Sequence, residues 1–258
     1  MQIDIIRQPR VTLVAAPQFH YPPHLAWRSD NDADGEVLAE FAGRLCYLSF
    51  GKEAGIDAGH KTVAGRTTAA SYLQNILEVK HGSVLEHAVW SLLIEGVSRS
   101  LTHELVRHRA GFAFSQLSQR YVEESAVAFV LPPEIHEPGR AFETWCTACQ
   151  AALAAYRELL SELRVELGGD AGVKRLRQTA RAVLPNCVET KIVVSGNGRS
   201  WRHFVEMRGS PAAETEIRRL AVTVARALRV CAPNIFGDIE EADAEAGVPC
   251  LVVRHSKV

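Results

Sequence analysis

The feature that most constrains how this chain folds is its longest helical pattern. It runs from about Arg140 to Leu167 and is followed, after Gly168-Gly169, by a second from Ala171 to Leu184 that Pro185 ends. Around these helices the pattern changes. Strand character appears at Arg10 to Ala16, at Glu86 to Val97 with Trp90 and Leu92 facing inward, and at Thr190 to Ser195. Shorter helical segments read from Gly35 through Leu38, Phe41, Leu45 and Leu48, and from Thr67 to Val79, where His81-Gly82 stops the helix. Ser98 is placed to cap a helix from Arg99 to Arg109 that Gly111 would end, and an extended piece around Arg120 to Val130 closes at Pro132-Pro133. After a Gly-Asn-Gly turn at 196 to 198, one helix runs through Arg208 and another from Pro211 to Arg229. The pattern has no repeat, low-complexity tract or clear linker, so residues 1–258 are expected to form a single α/β domain.

Composition narrows the function. With 47% apolar and 23% charged residues the chain can bury a substantial core. Its net charge of -1 lacks the basic excess that drives sequence-blind nucleic-acid binding, so any anionic partner should be small. The six cysteines are scattered and no secretory signal or membrane-spanning apolar run is evident, which predicts reduced thiols in a cytoplasmic protein without a membrane partner. Cys146 and Cys149 have CxxC spacing, but they lie inside a helical pattern with no second pair nearby, and packing is the expected role.

Chemistry concentrates at Arg107-His108-Arg109. A charge run alone is normally a solvated face, but Ser115-Gln116-Leu117-Ser118-Gln119-Arg120-Tyr121 follows closely and adds hydroxyls, amides and another guanidinium. Guanidinium forks and backbone N–H groups suit a nucleotide phosphate, which fits Ser118 and Arg120. The amide of Gln116 can meet the donor and acceptor edge of a pyrimidine.

These residues resemble the signature of the flavin-dependent thymidylate synthases. Further blocks are similar in the same order: His81-Gly82-Ser83-Val84-Leu85-Glu86-His87, Ser98 to Val106, Ala180-Arg181-Ala182-Val183-Leu184-Pro185, and Gly196-Asn197-Gly198-Arg199-Ser200-Trp201-Arg202-His203-Phe204 through Met207-Arg208. The resemblance covers roughly residues 40 to 235. It implies an α+β fold with a mixed or antiparallel sheet and long helices, and no Rossmann domain is expected because Gly196-Asn197-Gly198 is followed by Arg199-Ser200-Trp201 and lacks the third glycine of a dinucleotide fingerprint. It also implies that FAD, reduced by NADPH, serves the methylation of dUMP to dTMP with 5,10-methylenetetrahydrofolate as carbon donor. Carried over by position, Ser83, Arg107, His108, Arg109, Gln116, Asn197, Gly198, Arg199 and His203 would line the FAD site, with His81 a weaker candidate. Glu104, Leu105, Val106, Arg107, Gln116, Leu117, Ser118, Gln119, Arg120, Arg181 and Arg208 would form the dUMP site. The implied assembly is a homotetramer in which several contacts cross between subunits.

The chain departs from the family pattern in one spacing: eight residues, Ala110 to Leu117, separate Arg-His-Arg from the serine where seven are usual, which places an insertion near Ala110 to Phe114. Glu104, Gln116 and His203 stand where other members carry Gln, Glu and Asn. Arg208 is the candidate catalytic residue, because a guanidinium beside the N3–C2=O edge stabilises a developing uracil anion, and each pKa unit of such a shift is worth about 1.4 kcal/mol. Its alternative role is a helix-end arginine answering the last carbonyls. A zinc hydrolase reading of His103 and His108 fails on spacing, since residues five apart point to different faces of a helix, and no metal is expected. A nucleic-acid module using Arg107 to Arg120, with Phe112, Phe114 and Tyr121 for stacking, lacks a longer basic face.

Overall fold

The computed structural model describes residues 3–50, 66–167, 172–245 and 247–258. Gly168-Gly169 and the first residue of the helix expected from Ala171, like His60, lie outside them. The described chain is mixed. β1 (Ile5–Ile6) and β2 (Arg10–Ala15) precede α1 (Asp34–Cys46) and α2 (Ala69–Glu78), and a 3-10 turn (Gly82–Glu86) leads into β3 (Val89–Ser98) and α3 (Arg99–Leu105). β4 (Phe112–Gln116), β5 (Phe129–Val130), α4 (Arg140–Glu166) and α5 (Val173–Ala180) follow, with a 3-10 turn at Arg181–Val183. The chain then forms β6 (Glu189–Asn197), α6 (Gly198–Arg208), α7 (Thr215–Cys231), α8 (Pro233–Phe236), β7 (Ile239–Glu245) and β8 (Val248–Val253). The main sheet has the order β2-β3-β6-β4, β1 pairs with β5 in parallel, and β7 pairs with β8 antiparallel through a register shift between Ala242 and Ala244. This is the mixed α+β type expected, with long helices and antiparallel pairing.

The chain divides into two compact units. The first comprises residues 1–10, 94–107 and 114–193. Its long helix α4 buries only Cys149, Leu153, Tyr156 and Leu160, a narrow stripe at helical spacing, while Val165 stays exposed. That stripe joins two clusters, one with Ile3, Val127, Phe129 and Val188 and the other with Leu176 and Ala180. Cys149 packs there as expected, its Sγ 3.7 Å from that of Cys187.

The second unit comprises residues 11–93, 108–113 and 194–258. Trp90, Leu92, Trp201, Phe204 and Phe236 are fully buried at its centre, and the Trp201 indole N–H donates to the Trp90 carbonyl at 3.2 Å. Glu36, in the first turn of α1, is also fully buried. Its carboxylate accepts N–H bonds from Asn234 and Ile235 at 2.6 and 3.0 Å and so satisfies donors at the start of α8 that would otherwise be orphaned.

Several expectations are corrected. The helix capped by Ser98, whose Oγ does accept the Leu101 N–H at 3.0 Å, stops at Leu105 and does not continue to Arg109. Residues 112–116 form β4, a strand missed because its alternation of half-buried Phe112, Phe114 and Gln116 with exposed Ala113 and Ser115 spans only five residues. Only Phe129–Val130 of the piece from 120 to 130 is strand. No turn intervenes at 196 to 198, because β6 runs into α6 directly and the Asn197 side chain caps the helix by accepting the Ser200 N–H at 2.8 Å. The helix expected from Pro211 begins at Thr215, and the Pro211 carbonyl accepts from Arg218 instead. The stretch from Glu240 onward, which seemed uninformative in sequence, contains most of the β7–β8 hairpin.

Candidate active site

In the second unit, α6 carries three of the nine expected cofactor residues, Gly198, Arg199 and His203, and a fourth, Asn197, caps it. Arg199 lies in its first turn, His203 is exposed one turn on, and Arg208 ends the helix half-buried. Facing them is the segment 108–113. The Arg208 Nε donates to His108 Nε2 at 2.9 Å, although the two residues are 100 positions apart. In this bond the His108 Nε2 accepts through its lone pair. Its ring stands 5.9 Å from that of His203 and edge-on to Phe204 at 5.4 Å, which fixes its plane. Arg109 is exposed. The structure therefore brings His108, His203 and Arg208 together.

The stretch holding the additional residue is pinned to the start of the same helix. Ser200 Oγ donates to the Ala110 carbonyl at 2.8 Å, and the Asn197 N–H donates to the Gly111 carbonyl at 3.3 Å. Gly111 has φ +72°, and a Cβ there would lie 2.1 Å from Ser200 Oγ and 2.6 Å from Asn197 Nδ2, so both the backbone and the space require glycine. Ser200 was not singled out in the sequence, where it reads as an ordinary helix residue.

Ser83 is exposed within the 3-10 turn of the second unit, and Gly198 is buried, its N–H donating to the Ala88 carbonyl at 2.9 Å. His81 is exposed at the N-terminal edge of that turn. Arg199 donates from Nη1 to Glu86 at 2.7 Å and from Nε to the Val258 oxygen at 3.2 Å. Neither partner was visible as such in the sequence.

The first unit holds most of the expected substrate residues. Arg107 is exposed and Glu104 and Val106 are half-buried at the end of α3, while Leu105 is fully buried and offers only its main chain. The Gln116 Nε2 donates to the hydroxyls of Thr102 at 3.1 Å and Thr190 at 3.3 Å, which leaves its amide oxygen for other partners. Leu117 is held by its N–H to the Lys191 carbonyl at 2.8 Å, and Ser118 Oγ accepts the Arg120 N–H at 3.4 Å. The Gln119 Nε2 and Arg120 Nε are buried donors without a partner among the described residues. A buried unpaired donor costs about 1–3 kcal/mol, so these two groups are suited to an incoming acceptor.

Arg181, in its 3-10 turn, belongs to a charged group with Arg99 and Glu124. Burial lowers the Arg99 pKa, the Arg181 charge lowers it further, and Glu124 works in the other direction. The Glu124 carboxyl is pushed up to about 7 by burial, against the lowering influence of Arg99 and with a smaller push from Glu189. A carboxyl whose folded pKa exceeds its unfolded value stabilises the fold below about pH 4.5 and loses that contribution as pH rises through about 7. Glu124→Gln is expected to remove roughly 3 kcal/mol of pH dependence across that window, read as a flatter plot of unfolding free energy against pH.

Among the described residues no group of three or more His, Cys, Asp or Glu could hold a metal ion, and no helix is long and apolar enough to cross a membrane.

Comparison with known proteins follows the same residues. The profile of the family described as thymidylate synthase complementing protein (Thy1) matches residues 29–234. A flavin-dependent thymidylate synthase of Mycolicibacterium gilvum is 48% identical over 236 residues, covering 90% of each chain. Proteins of the same name from Mycobacterium marinum and Mycobacterium leprae are 47% and 46% identical, again over 90% of both chains. With the matched span taking in both motif groups and the helix that ends at Arg208, the chain belongs to the thymidylate synthase complementing protein family, that of the flavin-dependent thymidylate synthases.

Proposed function

We propose that this chain converts dUMP to dTMP with FAD as cofactor, NADPH as reductant and 5,10-methylenetetrahydrofolate as carbon donor. The observation that carries the reading is the Arg208–His108 hydrogen bond, which sets the guanidinium that ends α6 against the histidine of the Arg-His-Arg motif. When bound, FAD supplies the hydride chemistry; the protein binds, orients and polarises.

The donor set in the second unit fits a flavin dinucleotide. Arg199 and His203 lie on one helix, capped by Asn197, whose first turn carries the positive end of the helix dipole, Ser83 and Arg109 are exposed, and His108 is oriented by Arg208 and Phe204. In the first unit the donors suit a nucleotide monophosphate: Arg107, Arg120 and Arg181 supply charge, Ser118 a hydroxyl, and Gln119 a buried amide with an unused donor. Glu104 to Arg107 and Gln116 to Arg120 hold dUMP, and the Gln116 amide oxygen accepts from its base.

Arg208 supplies the electrostatic step. Attaching a one-carbon unit at C5 requires negative charge to build on the uracil ring, and a guanidinium at the N3–C2=O edge stabilises that charge more than the neutral ring. Its Nε–His108 bond fixes the direction of the fork before substrate arrives. Ser118 serves as a phosphate donor rather than a nucleophile, since its Oγ already accepts the Arg120 N–H and no histidine base engages it in the described residues. The working assembly is a homotetramer in which subunits share sites. The six cysteines, none of them in a disulfide, suit a reducing cytoplasm.

The test of the cofactor half is Arg199→Ala. Loss of one charge-assisted contact is expected to weaken FAD binding about tenfold. Quenching of flavin fluorescence on titration measures it, and unchanged affinity contradicts the assignment.

A further inference from the structure

The chain beyond β8 lies across the Arg199 corner. Its course is set first by the half-buried Asp238, whose carboxylate accepts the His255 N–H at 3.0 Å, and by Arg202, whose Nη2 donates to the His255 carbonyl at 2.9 Å. Glu206, on α6, then takes both the Ser256 hydroxyl and the Lys257 N–H, the latter at 3.1 Å. Lys257 adopts φ +57°, a left-handed conformation that a side-chain-bearing residue keeps only where its surroundings hold it. That turn delivers the Val258 oxygen to the Arg199 Nε. The fit is close: a Cβ on Gly82 would lie 2.6 Å from the Val258 carbonyl carbon and 3.1 Å from the Arg199 Nε. Val258 thus fills the space beside the turn that carries Ser83.

The Arg199 fork is therefore engaged on two sides, by Val258 at Nε and by Glu86 at Nη1. A phosphate is gripped best by two parallel N–H donors of one guanidinium, and the edge that includes Nε is the one the tail covers. A strained backbone turn held by one carboxylate is a contact that an incoming anion can exchange for its own. The Arg199–Glu86 pair is half-exposed on both sides and costs little to rearrange.

We propose that Ser256–Val258 is an internal competitor for the Arg199 guanidinium: the segment occupies the corner while FAD is absent, and the anionic part of FAD displaces it on binding. The proposal rests on the assignment of Arg199 to FAD. The tail lowers the apparent affinity for FAD by the fraction of time it holds the corner. Glu206 is its positioning residue, since one carboxylate makes both of the bonds that set the turn.

The experiment compares the intact chain, a chain shortened after His255, and Glu206→Ala, which releases the segment without shortening it. FAD affinity is read by flavin fluorescence, and deuterium uptake over residues 254–258 is followed by mass spectrometry with and without FAD. Both altered chains are expected to bind FAD about fivefold more tightly. FAD is expected to raise deuterium uptake at 256–258 in the intact chain, and shortening is expected to change nothing in an Arg199→Ala background. Equal or weaker FAD binding by both altered chains, with Arg199→Ala still weakening FAD, overturns the competitor and leaves the cofactor assignment standing. FAD affinity unmoved by Arg199→Ala overturns the assignment and the competitor together.

Discussion

Arg208→Ala is expected to abolish dTMP formation, lowering turnover by about a thousandfold, while the protein keeps most of its FAD. The expectation follows from where the residue sits. Its guanidinium ends α6, bonds His108 and, in the proposed reaction, meets the developing uracil charge without any covalent role. A group that acts only on developing charge affects turnover more than ground-state binding, so the loss should fall on kcat more than on the KM for dUMP. Retained flavin separates this from collapse of the cofactor site. A fully active Arg208→Ala protein removes Arg208 from the activation step.

The second large effect is structural. Asp238→Ala is expected to cost about 3–5 kcal/mol, because Arg202 is almost fully buried and would lose the carboxylate that pairs with it at 2.6 Å. In a chain of this size that corresponds to a fall in Tm of roughly 10 °C. Burial alone would raise the Asp238 pKa, but the Arg202 hydrogen bond and charge, with the His255 N–H, outweigh it and hold the carboxyl below its ordinary value of 3.8. A carboxylate with a depressed folded pKa contributes stability above its unfolded pKa and loses it as pH falls through the folded one. The wild-type protein should therefore lose this contribution below about pH 4, and the alanine variant should show a shallower acid limb there. Thermal unfolding across that range checks both. The same ion pair directs the chain toward Glu206 and Arg199, so the variant should also show raised deuterium uptake at 256–258.

Local chemistry was the legible part of the fold. Ser98 as a cap, Trp90 and Leu92 as inward residues and the long helix itself all follow from rules that act within a few residues, and the structure has them. Gly111 was read as a helix stop for the right conformational reason at the wrong place. It has the positive φ such a stop would use, but it opens β4, six residues after α3 ends. The β7–β8 hairpin was hidden because β7, Ile239–Glu245, contains four acidic residues and shows little apolar alternation, so its pairing with Val248–Val253 depends on the partner strand.

The candidate site divides in the same way. Arg-His-Arg, the Ser-Gln-Leu-Ser-Gln-Arg-Tyr run and Asn-Gly-Arg are contiguous, and their donor chemistry is plain from residue type alone. What joins them is not local. The His108–Arg208 bond spans 100 positions, Glu86–Arg199 spans 113 and Arg199–Val258 spans 59, and no periodicity or cap rule reaches that far. Gln116 shows the difference on a single side chain. Its type suggested base recognition, but only the folded chain reveals that Thr102 and Thr190 take its N–H groups and leave the oxygen as the available end.

The most direct test of the central claim is the visible spectrum of the purified protein with FAD under anaerobic conditions. With NADPH and dUMP present the flavin band should bleach, and dTMP should appear once 5,10-methylenetetrahydrofolate is added. A protein that takes up no flavin, or that forms dTMP equally well without it, contradicts the account.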